Sequence, residues 1–184
     1  MPILGIIASQ QPGHISTSSY DSIQTVTVGA GGQATVSFTS IPSTYKHLQI
    51  RLFAKYTAVG YGYMRFNSDS GSNYSTHDIY GDGVNSDPVG TFVLANSTAY
   101  YYTSAAGTKN TVFNASVIDI LDYTDTNKYK TARGLYGWDD NSSGYTEFNS
   151  GNWRNTNAIT SIDLTSSAGN FSQYSHIALY GIKG

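Results

Sequence analysis

From Ile23 onward the apolar positions recur every second residue, the period of a half-buried strand. Val26 and Val28 share one face, and Ala34, Val36 and Phe38 alternate with Thr35, Ser37 and Thr39, with Gly29-Ala30-Gly31-Gly32 between the two runs as a hairpin loop. After Ile41-Pro42-Ser43-Thr44 comes the clearest strand. Leu48, Ile50, Leu52 and Ala54 point one way, and His47, Gln49, Arg51 and Lys55 the other, so one face is dry and one wet. Tyr61 to Phe66 predicts a strand with Met64 and Phe66 inward, and Asn67 to Asn73 a polar loop. Ser75 to Thr108 reads as long loops with one or two short strands. Val112 to Leu121 is apolar on both faces, as in a strand covered on both sides. Lys130 to Trp138, Tyr145 to Trp153, Ile159 to Leu164 and Ser175 to Ile182 complete roughly nine to eleven strands, each bounded by Asn, Asp, Gly or Ser.

This pattern predicts an all-β fold, a two-sheet antiparallel β-sandwich of jelly-roll-like type, in one domain over residues 23–184. Residues 1–22 read as an extended N-terminal arm. Its tip is apolar, with Ile3, Leu4, Ile6 and Ile7 as candidate subunit-docking side chains, and its tether from Ser9 to Ser22 is polar and broken by Pro12 and Gly13. An apolar tip on a polar tether forms no core of its own, so it packs on its own domain or on a neighbour. The tip has no basic flank and is too short to span a bilayer, so neither a signal peptide nor membrane insertion is expected.

Composition narrows the function classes. Charged residues make up 12% of the 184, about half the usual share, and the net charge of −2 comes with no Lys/Arg cluster, which disfavours nucleic-acid binding. The chain has no cysteine, so packing rather than disulfides must hold it. Asn-x-Ser/Thr triplets at Asn73, Asn96, Asn114, Asn141 and Asn170 are expected by chance in such a composition and are read as unglycosylated.

The search for chemistry predicts no catalytic residue, no metal ligand and no cofactor. His14, His47, His77 and His176 lack ligand-like spacing. No Gly-x-Ser-x-Gly elbow or phosphate loop occurs, and Gly81-Asp82-Gly83 lacks the third glycine of a dinucleotide fingerprint. Asn67-Ser68-Asp69-Ser70-Gly71 begins like a calcium loop but lacks the glycine at position six and a closing Glu. A glycosidase needs two carboxyls roughly 5–10 Å apart, and Glu147 is the only Glu, with Asp119, Asp122, Asp125, Asp139 and Asp140 as its candidate partners. What stands out is aromatic. Tyr100, Tyr101, Tyr102, Trp138 and Trp153 are candidate ligand-stacking rings, against the alternative that they fill the core.

Met1-Pro2-Ile3-Leu4-Gly5-Ile6-Ile7-Ala8-Ser9, Ser40-Ile41-Pro42-Ser43-Thr44-Tyr45-Lys46-His47-Leu48-Gln49-Ile50-Arg51, Arg65-Phe66-Asn67-Ser68-Asp69 with Asn73-Tyr74-Ser75, and His176-Ile177-Ala178-Leu179-Tyr180-Gly181-Ile182-Lys183 are similar to segments of virion structural proteins of tailed bacteriophages, particularly those of aquatic hosts. The resemblance implies a non-enzymatic virion component, in capsid decoration or in the tail and its fibres, assembled in the host cytoplasm. It implies other virion proteins as partners and a symmetric homo-oligomer, a trimer by family analogy. The competing readings are a carbohydrate-binding fibre head that recognises a host surface glycan through the rings named above, and a polysaccharide-degrading enzyme built on Glu147.

Overall fold

The computed structural model describes residues 19–83, 90–103 and 110–184, with the backbone alone over 90–98. Twelve strands follow in order: β1 (Tyr20–Thr27), β2 (Val36–Phe38), β3 (His47–Ala54), β4 (Gly62–Phe66), β5 (Tyr74–Gly81), β6 (Gly90–Thr98), β7 (Tyr101–Tyr102), β8 (Asn114–Leu121), β9 (Lys130–Asp139), β10 (Gly144–Trp153), β11 (Ile162–Ser166) and β12 (His176–Ile182). They form an eight-stranded sheet in the order β1-β12-β3-β8-β9-β10-β5-β6 and a four-stranded sheet in the order β2-β11-β4-β7. Every pairing is antiparallel.

Setting aside β5, β6, β9 and β10 leaves a nested set in which β1 pairs β12, β2 pairs β11, β3 pairs β8 and β4 pairs β7. With β12 also against β3, and β11 against β4, this is the connectivity of a jelly roll. The two remaining hairpins, β5–β6 and β9–β10, both add to the same edge of the same sheet, and this widens it from four strands to eight.

The core lies where the two sheets overlap. Leu48, Ile50 and Leu52 of β3, Ile118 and Ile120 of β8, and Ile177 and Leu179 of β12 meet Phe38, Met64, Phe66, Ile162 and Leu164 of the smaller sheet, all fully buried. Beyond the overlap, the inner face of β9, β10 and β5 turns polar and aromatic. Two glycines let rings lie flat there: a Cβ on Gly134 would meet the Tyr136 ring, and one on Gly151 would stand 2.3 Å from the Tyr101 ring.

The Gly29-Ala30-Gly31-Gly32 segment is not the loop of a hairpin, because β1 and β2 lie in different sheets and the chain crosses between them there. Three further sequence expectations need correction. The strand read from Ile23 begins at Tyr20, anchored by the Lys183 amide on the Ser19 carbonyl at 3.0 Å, so residues 20–22 belong to the sheet and not to an arm. The stretch read as loops holds two long strands, β5 and β6; β5 points Thr76 and Asp78 inward, and polar inward positions conceal the alternation. Finally, β8 is central in its sheet but covered on one face only, since Val117 is 41% exposed.

Candidate functional site

The candidate side chains of the arm, Ile3, Leu4, Ile6 and Ile7, lie outside the described residues, as does His14. The five candidate rings are dispersed by strand alternation. Tyr101 and Trp153 are each 1% exposed, which removes both as ligand platforms. The Trp153 indole packs on Phe66 and Tyr74, and its Nε1 donates to Asp69 Oδ2 at 2.8 Å. Burial disfavours the Asp69 carboxylate, but the bonds from Trp153, the Gly71 amide and the Asn73 amide outweigh it and hold the carboxyl below its ordinary range. The calcium-like loop is thus a closed turn: Asn67 and Ser68 are left-handed, and the Asp69 amide reaches back to the Phe66 carbonyl at 2.9 Å.

Tyr101 enters a buried polar network. Its hydroxyl donates to Asn149 Oδ1, and the Tyr136 hydroxyl lies 2.9 Å from the Tyr102 carbonyl. Burial raises both phenols far above their usual range, so they stay neutral donors. Glu147 and Asp78 face inward on the neighbouring strands β10 and β5, and both are buried in this region. Asp78 was not among the carboxylates expected to partner Glu147. Burial pushes its carboxyl up to about 6 against a weaker pull from Asn149 and His77, and its Oδ1 has no hydrogen-bond partner.

Trp138 is half-buried and packs against the core with Tyr145. Tyr100 and Tyr102 remain accessible and join two rings that the sequence pattern did not single out, Tyr61 and Tyr63. Tyr63 stacks on Tyr100 at 3.7 Å, and Tyr102 stands edge-on to Tyr61, Tyr63 and Tyr100 at 5.4, 5.5 and 5.6 Å. Burial, reinforced by the Tyr100 hydroxyl, raises the Tyr63 phenol to about 12. The signal lay in Tyr61-Gly62-Tyr63, whose spacing puts two rings on one face of a strand.

The outer face of the wide sheet carries a feature not anticipated. Register places Val117, Leu135, Phe148 and Ile79 side by side across β8, β9, β10 and β5. They form an apolar ridge, each residue 41–55% exposed. Two residues along, the same strands present Ala115, Gly137, Thr146 and Gly81, a row of small residues that makes a trough beside the ridge. Two adjoining hollows of about 480 and 550 Å³ lie along this trough and share Gly137 and Thr146. Phe53, stacked on Phe113 at 4.8 Å, closes one end. The ridge accounts for the two-sided apolar pattern of β8.

Among the described residues no three His, Asp or Glu side chains converge as metal ligands. What the fold defines is a widened jelly-roll sandwich with an apolar ridge and a tyrosine cluster at its surface. No family profile matches the chain, and comparison with curated proteins finds no match.

Proposed function

We propose that this chain is a non-enzymatic structural protein that works by surface contact. The particular role we assign it is a component of a tailed-bacteriophage virion, displayed on the particle exterior as capsid decoration or as part of the tail fibres. The observation that carries the reading is the ridge. A solvated sheet face ordinarily alternates to polar residues, and a contiguous apolar row over four strands disfavours solvent contact, which marks an interaction surface. The jelly-roll connectivity supports the same reading by analogy, since capsid and lectin domains use it. The acidic side chains that would serve hydrolysis, Glu147 and Asp78, are built into the interior beside structural tyrosines. The test is incorporation. Particles assembled with the variant Phe148→Asp should carry much less of this chain than wild-type particles, and equal incorporation would remove the proposal.

The tyrosine cluster favours a second reading, a fibre head that recognises a host surface glycan. Clustered accessible phenols offer stacking faces and hydroxyl donors to a sugar. Binding on a glycan array that is lost in Tyr63→Ala would select this reading; the absence of any binding would discard it.

A further inference from the structure

We infer that the outer face of the wide sheet binds a second copy of this chain about a two-fold axis, ridge into trough, a symmetry different from the trimer that the family resemblance implies. The pattern is self-complementary. Ridge and trough residues stand two apart on the same strand: Val117 and Ala115, Leu135 and Gly137, Phe148 and Thr146, Ile79 and Gly81. A two-fold axis lying parallel to the rows and midway between them turns one copy face-down on the other. It seats each large side chain over the small residue of the same strand in the partner, on all four strands at once.

One pair of charges flanking the rows obeys the same operation. On β9 the axis passes at Tyr136, so Arg133 of one copy meets Asp139 of the other, and this occurs twice. Both residues are exposed. A flat contact of four strands by five residues projects to about 320 Å², or roughly 600 Å² of corrugated surface per copy, near the lower limit for a specific interface. The dimer is therefore weak, with a Kd in the range of about 1–50 μM.

Sedimentation velocity of the full chain from about 1 to 200 μM reads this directly. Wild type should pass from monomer to dimer. Leu135→Ser acts twice in a two-fold contact and should raise Kd about a hundredfold. Arg133→Asp and Asp139→Arg should each raise Kd about tenfold, and the double variant should return to within a few-fold of wild type. Positions 133 and 139 lie about 20 Å apart along one strand, so recovery in the double variant can act only between copies. Arg133 also faces Asp119 within its own chain, a penalty that Asp139→Arg cannot relieve, which leaves the recovery specific to the proposed contact. Thermal melts of each variant, all at exposed positions, verify folding. A wild-type chain that stays monomeric over the whole range overturns the inference, as does an oligomer that ignores Leu135→Ser or shows no charge-swap recovery. An oligomer that ignores these variants is built on another surface of the chain. The inference rests on the same ridge as the virion reading, and the two are told apart by antibody labelling of purified particles, which reads particle association whatever covers the ridge.

Discussion

Replacing Asp78 with Asn isolates one contribution to the fold's stability. The carboxyl is inward-facing on β5 and 8% exposed, with Oδ1 unpartnered, and burial is the largest cause of its rise from 3.8 to about 6. Because the folded-state value is raised, the native state binds this proton more tightly than the unfolded chain does. The resulting stability is complete below pH ~4, declines as pH rises through about 6, and is gone above it, where the buried carboxylate is ionised. A rise of that size corresponds to about 3 kcal/mol between the two protonation states. Asn keeps the shape and removes the charge, but its amide also needs partners, so Asp78→Asn should stabilise the protein by about 1–3 kcal/mol at pH 7. The gain should fall towards zero at pH 4. Urea unfolding followed by tryptophan fluorescence at pH 4, 5, 6 and 7 measures it, and the difference between variant and wild type cancels the titration of other groups. Destabilisation at pH 7, or a gap that does not change with pH, would refute the argument that Asp78 is an unsolvated, under-bonded acid.

Two further substitutions probe the interior. Lys130 is fully buried, and its Nζ donates to the carbonyls of Asp125, Lys128 and Thr156, so Lys130→Met should cost about 3 kcal/mol or more in urea unfolding by leaving three acceptors unpaired. Gly151→Ala places a methyl against the Tyr101 ring and should cost about 2–3 kcal/mol in urea unfolding, with a change in the near-UV spectrum as that ring moves.

How much of this was legible follows from what faces each strand. Strands whose inward residues are aliphatic, such as β3 with Leu48, Ile50 and Leu52, or β12 with Ile177 and Leu179, announce themselves by alternation. β5 does not, because Thr76 and Asp78 occupy its inward positions and the neighbouring tyrosines give them a polar lining. Runs of rings conceal their own fate: in Tyr100-Tyr101-Tyr102 the middle ring goes inward and its neighbours stay outside, so the triplet never forms one surface. Trp153 was visible as a large ring but not as one pinned by Asp69, 84 residues away in sequence. The ridge could not be read from any single strand. Each of its members is one apolar residue at an outward position, and only the register between neighbouring strands brings them into line.

If this sandwich serves as a contact component of a particle, electron microscopy of purified particles labelled with an antibody to this chain tests that role most directly. The expected result is regular label at symmetry-related positions on the particle exterior. Particles that carry no label, with the chain recovered only in the unassembled fraction, would contradict it.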